Sequence, residues 1–116
     1  MMKIRQSLVA LTMFLASSQL FAHGMMEGTY PKDGAEMMEP ADRIEMNFEK
    51  PMRLMKIELE SSDGNTVNID FDRSSDATTH FKTMLPQLSP DTYEVHWKAM
   101  GQDGHLMKGS FSFMQH

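Results

Sequence analysis

From Gly24 to the end of the chain, apolar residues recur at every second position, and this period of two sets the fold class. Ile44, Met46 and Phe48 alternate with Arg43, Glu45 and Asn47. Met55, Ile57 and Leu59 alternate with Lys56, Glu58 and Glu60. Val67, Ile69 and Phe71 alternate with Thr66, Asn68 and Asp70. Tyr93, Val95, Trp97 and Ala99 alternate with Thr92, Glu94, His96 and Lys98, and Met107, Gly109, Phe111 and Phe113 share one face. Each run has one apolar side and one wet side, the pattern of antiparallel sheets packed face to face. No stretch after residue 22 has the helical period.

The punctuation between runs agrees. Pro31-Lys32-Asp33-Gly34 reads as a turn after a first strand near residues 24–30, and Ser62-Asp63-Gly64-Asn65 as a hairpin. Residues 72–79 form a polar loop, residues 86–91 a bend, and residues 100–104 a loop between the last two strands. Tyr93 follows a Ser-Pro turn at the start of a strand, the setting of a tyrosine corner, and Trp97 on the same face is the main core anchor. The expectation is an all-β fold, a sandwich of about seven short strands.

The first 22 residues are of a different kind. Lys3 and Arg5 precede the apolar stretch of residues 8–15, and Ala22 supplies the small residue required before a signal-peptidase cut. The stretch is too short to span a bilayer. The expected product is residues 23–116, one exported, soluble domain located in the periplasm. Loss of Lys3 and Arg5 lowers the formal charge from −5 to −7. That balance argues against nucleic acid as a partner. No cysteine is present, so neither a disulfide nor a thiolate metal site is available.

Cleavage after Ala22 leaves His23 at the amino terminus. Its α-amine and imidazole can then chelate one metal ion through two nitrogens. Far along the chain, Asp103-Gly104-His105 offers a carboxylate and a second imidazole. Residues i and i+2 of an extended strand project to the same side, so Asp103 and His105 can face one ion if the chain is extended there. Gly104 between them permits a close approach to the amino-terminal segment. Nitrogen and oxygen donors of this kind suit Cu(II), with one ion expected per chain. Each motif alone has an ordinary explanation, a tolerated residue after cleavage or a plain turn; it is their combination on a small exported domain that points to copper. His96 reads as solvated, and His80 and His116 as incidental. Met46 and Met55 read as core filler, and no compact methionine cluster marks a Cu(I) site.

Taken together, the residues resemble the CopC family of periplasmic copper-binding proteins. The resemblance runs through Ala22-His23, Pro31-Lys32-Asp33-Gly34-Ala35, Pro40 and Ile44-Glu45-Met46-Asn47-Phe48. Its most specific stretch is Tyr93-Glu94-Val95-His96-Trp97-Lys98, then Asp103-Gly104-His105, then Gly109-Ser110-Phe111-Ser112-Phe113. It implies an immunoglobulin-like Greek-key sandwich or barrel, and Cu(II) held by His23, Asp103 and His105. It also implies a role in copper tolerance or supply, often beside an inner-membrane copper protein of the CopD type. Some members hold Cu(I) in a methionine-rich loop; the corresponding residues 72–83 contain His80 and no methionine, which argues for a Cu(II)-only member. Asp91 stands where many relatives have glycine.

Two other functions remain to be weighed. Copper-dependent polysaccharide monooxygenases also mature to a chelating amino-terminal histidine. This chain is short for their loops, and most of its aromatics fall on core faces, so no enzymatic activity is expected. A metal-free interaction module is the second alternative, since sandwich folds host many unrelated functions.

Overall fold

The computed structural model describes residues 26–71, 73 and 76–116, and among these no helix occurs. His23 and the leader expected over residues 1–22 lie outside the described residues. Seven strands follow in order: β1 Met26–Tyr30, β2 Ala35–Met37, β3 Arg43–Ser61, β4 Thr66–Val67, β5 Thr78–Met84, β6 Asp91–Gly101 and β7 Leu106–Gln115. The expected all-β fold and strand number are both present.

The organising element is β3, which the alternation had divided into two separate strands. It is one strand of 19 residues that changes partners along its length. Its first half pairs antiparallel with β1 (Met26 opposite Phe48, Tyr30 opposite Glu45) and with β5 (Arg43 opposite Met84, Asn47 opposite His80). Its second half pairs with β6 from Met52 opposite Gly101 to Ser61 opposite Tyr93, and with β4. Residues 49–51 have no rung on β1 or β6, and the β5 ladder breaks between Asn47 and Met52. This gap accommodates Pro51, which has no N–H to donate to a ladder. The sheet therefore turns a corner on β3, and both halves face a common core.

The remaining strands complete the layers. β6 and β7 form a ten-rung hairpin, and β2 adds to β7 in parallel. The backbone path is β1-β3-β6-β7-β2, with β4 and β5 attached to β3. Ile44, Met46 and Phe48 from the first half of β3 meet Leu54, Ile57 and Leu59 from the second, with Val95, Trp97, Phe111 and Phe113 from the hairpin. Phe48 packs against Trp97 and Phe81 at centroid separations of 5.3 and 5.9 Å, in the T-shaped geometry that ring quadrupoles favour.

Three local expectations are corrected. Met55 is not core-facing: Leu54 sits opposite Ala99 and Lys56 opposite Lys98, so Met55 is the extra residue of a β-bulge, half-buried, and Leu54 takes the core position. The third alternating run is strand only over Thr66–Val67, although Ile69 and Phe71 still pack against the core. Met100 and Gly101 belong to β6, so the loop before β7 is shorter than expected. The tyrosine corner is present: the Tyr93 hydroxyl donates to the Ser89 carbonyl at 2.7 Å. Burial of the ring raises the pKa of the phenol.

Candidate metal centre

Asp103 and His105 are brought together, but not by an extended strand. Gly104 N–H donates to Gly101 C=O (3.0 Å) and Gly101 N–H to His105 C=O (2.9 Å), closing a tight turn between β6 and β7. Gly104 has φ +85°, in the left-handed region where a side chain is strained. This is a turn followed by a glycine bulge, a standard hairpin connection. Within it, Asp103 Oδ1 accepts the His105 backbone N–H at 3.1 Å, and Asp103 Oδ2 lies 2.7 Å from His105 Nδ1.

The amino-terminal segment that Gly104 was expected to admit lies outside the described residues. Among the described residues a Cβ on Gly104 would meet nothing within 4 Å, and what requires glycine there is the left-handed backbone. A Cβ on Gly101 would fall 2.9 Å from Asp103 Oδ1. Gly101 is therefore the residue that leaves room for the carboxylate.

Electrostatically, the hydrogen bonds from the His105 ring and backbone hold the Asp103 carboxyl below the usual carboxylate range. Both side chains are largely exposed, at 67% for Asp103 and 81% for His105. With Nδ1 engaged by the carboxylate, Nε2 is the His105 nitrogen turned to solvent and open to a ligand. A carboxylate that orients an imidazole in this way is a recurring arrangement around metal-binding histidines. Among the described residues, no group of three His, Asp or Glu side chains is placed to hold a metal ion.

The same turn occurs at the opposite end of the sheet. Ser61-Ser62-Asp63-Gly64-Asn65 repeats the backbone bonds, with Gly64 N–H to Ser61 C=O at 3.0 Å and Ser61 N–H to Asn65 C=O at 2.9 Å. Gly64 has φ +88°, and Asp63 accepts both the backbone N–H and the side-chain amide of Asn65. The Asp-Gly frame is thus a turn that needs no metal. What distinguishes the β6–β7 turn is an imidazole where the other has an amide.

The other histidines lie elsewhere. His80 sits between Asn47 (Nδ1 to Oδ1, 2.7 Å) and Glu45 (Nε2 to Oε1, 3.3 Å), and Arg43 donates to Glu45 at 2.8 Å. The guanidinium of Arg43, 4.2 Å above the Tyr30 ring, holds the Glu45 carboxyl low. Sequence reasoning treated His80 as incidental. The signal that it is networked was the shared wet face of Arg43, Glu45 and Asn47. His96 stands 3.4 Å from Glu94 and 3.7 Å from Glu60 on the outer face, solvated as expected.

A curled all-β domain with an Asp–imidazole turn at one end defines a recognisable class. Residues 26–116 match the family model of the CopC domain, and the chain belongs to that family. It is 26% identical over 132 residues to Copper resistance protein C of Xanthomonas campestris pv. juglandis, covering 95% of this chain and 93% of that protein. It is 25% identical over 114 residues to Protein YobA of Escherichia coli K12, covering 95% and 92%. The solved structure of CopC from Methylosinus trichosporium OB3b superposes with a TM-score of 0.67 at 16% identity, over 78% of this chain and 91% of that one. PcoC, a methionine-rich copper resistance protein from Escherichia coli, superposes with a TM-score of 0.65 at 18% identity, over 79% and 97%. At those identities the two structures establish the fold alone.

Proposed function

We propose that this chain is a periplasmic Cu(II)-binding protein of copper homeostasis or resistance, which sequesters or delivers the ion rather than turning over a substrate. The reading takes residues 1–22 as a cleaved leader. Cu(II) is then held by the α-amine and imidazole of His23, by His105 through Nε2, and by Asp103, one ion per chain. Nitrogen and oxygen donors in this proportion suit Cu(II). Asp103 and His105 are exposed side chains on a turn, so the carboxylate is free to swing from the ring nitrogen to the ion.

The observation that carries this reading is the Asp103–His105 turn in a CopC-family chain. The path of β1 supports it. Met26 is opposite Phe48, four residues before Met52, which pairs with Gly101 at the base of the turn. Traced backward, β1 therefore heads for the end of the sheet where Asp103 and His105 stand. His23 stands three positions before Met26, with Gly24 and Met25 between them, a reach of roughly 10 Å when extended. A CopD-type inner-membrane protein is the proposed exchange partner.

Isothermal titration of the exported protein with Cu(II) at neutral pH tests the reading. One equivalent should bind, and His105→Asn should weaken binding at least about tenfold, the loss of one strong ligand or its orienting partner. Affinity should also fall in acid, because the amine, with a free pKa of about 7.7–8.0, must lose its proton to bind. Equal heats for the two proteins would overturn it. The metal-free module is favoured by one observation, the duplicate turn at Asp63-Gly64-Asn65, and would be supported by that same outcome.

A further inference from the structure

The wet face shared by β3, β6 and β7 is sorted by charge along the strands. Residues directly opposite each other in a ladder share a face. Glu60 is opposite Glu94, and Glu94 opposite Ser112. Two residues further along, Glu58, His96 and Ser110 form the next row. Two further again, Lys56, Lys98 and Lys108 stand in a line across all three strands. Like charges directly opposite destabilise a sheet. Lys56 is paired with Glu58 at 2.9 Å, but among the described residues no carboxylate lies within ion-pair distance of Lys98 or Lys108. The basic row is all the more unusual in a chain of net charge −5.

The rows beyond these carry exposed apolar side chains. Leu106, opposite Met100, lies on the far side of the lysine row and is 55% exposed. Met114, opposite Thr92, lies on the far side of the glutamate row and is 37% exposed. From one end to the other the face thus runs Arg53–Met100–Leu106, the lysine row, Glu58–His96–Ser110 with Glu58 tied to Lys56, the glutamate row, and Thr92–Met114.

From this order we propose that the outer face of β3, β6 and β7 is the contact surface of a homodimer, with a second copy of this chain as its occupant. A two-fold axis lying along the Glu58–His96–Ser110 row makes the surface self-complementary, as an isologous interface requires. That operation sets Glu60 against Lys56 of the second copy and Glu94 against Lys98 of the second copy, each pair occurring twice. It also sets Met114 against Leu106 of the second copy. One operation thus opposes the lysine and glutamate rows and the two exposed apolar side chains, while Glu58, on the axis, keeps its pairing with Lys56 at 2.9 Å. The association is independent of copper and of the Asp103–His105 turn. Charge complementarity of this kind confers register and salt sensitivity more than affinity, so the dimer is weak.

Sedimentation equilibrium in the presence of a chelator tests this. A concentration-dependent dimer is expected at low ionic strength, with its dissociation constant raised at least about tenfold when salt shortens the screening length to about 3–4 Å. Lys98→Glu and Glu94→Lys should each abolish the homodimer. An equimolar mixture of the two variants should restore a dimer, because each then presents what the other lacks. Should either reversal melt the fold, Lys98→Gln and Glu94→Gln read the same contact, each weakening the dimer. A monomer at concentrations up to about 1 mM, the weak end of specific association, would overturn the proposal. So would a dimer indifferent to these substitutions, or folded charge-reversal variants that fail to complement.

Discussion

Gly104 and Gly109 look alike in the sequence and serve opposite purposes. Gly104 has a left-handed backbone and, among the described residues, open space where a Cβ would stand. Gly109 has no positive φ, but a Cβ there would fall 2.6 Å from Cζ2 of Trp97. Gly104→Ala should therefore cost about 1 kcal/mol of backbone strain. Gly109→Ala must displace a buried indole and should cost more, roughly 1–3 kcal/mol. Urea denaturation of both variants checks the order, and a milder effect at Gly109 would mean that Trp97 can shift. Tyr93→Phe removes a 2.7 Å hydrogen bond to Ser89 and should cost about 1 kcal/mol in the same assay. Tyr93 and Trp97 were legible in the sequence because their setting and periodicity fix what they do. The reason for Gly109 was not, since it depends on which residue of the neighbouring strand lies opposite. Gln115 was missed for a similar reason. It is buried, and its Oε1 accepts the Ala41 N–H at 2.8 Å, a contact spanning 74 residues that no local pattern announces.

At the scale of elements, the two Asp-Gly hairpins provide an internal control. They share backbone bonds, glycine conformation and the aspartate that caps the turn, and differ in His105 against Asn65. His105→Asn copies a turn the fold already uses, so stability should change by less than about 0.5 kcal/mol while the proposed Cu(II) binding weakens at least about tenfold. The reciprocal Asn65→His should create an imidazole–carboxylate pair at the far end without creating a copper site. If Asn65→His gains Cu(II) affinity equal to the natural turn, the turn alone is sufficient and the amino terminus is not needed. The motif Asp103-Gly104-His105 was readable as a candidate; the extended chain on which the approach of its side chains was made conditional is replaced by a turn. The i and i+2 rule belongs to strands, and a glycine at φ +85° in a turn brings the two side chains together by a different route. The same limit explains β3. Period two reports which face a residue takes, not whether a strand continues through a corner or inserts an extra residue such as Met55.

Across the whole molecule, the absence of cysteine leaves packing, ladders and surface pairs to hold the fold. Glu45, beside Arg43, and Asp103, beside His105, both have carboxyl pKa values below their ordinary ones. The unfolded chain therefore takes up more protons than the folded one as pH falls through the ordinary carboxylate range. Stability from these groups is fully present above that range and declines below it. Thermal melting should show a midpoint that drops between about pH 6 and about pH 3, and Glu45→Gln should flatten part of that decline. A midpoint constant across that interval would show that neither contact stabilises the fold.

The decisive relation is the proposed one between an amino terminus freed at His23 and the turn that carries Asp103 and His105. Electron paramagnetic resonance of Cu(II) should be recorded on the protein beginning at His23 and on one carrying a single additional residue before it. The additional residue converts the amine to a peptide nitrogen, so the nitrogen hyperfine pattern should change and binding should weaken sharply. Superimposable spectra with equal affinities would show that the terminal amine is not a ligand and that copper, if bound, is held elsewhere.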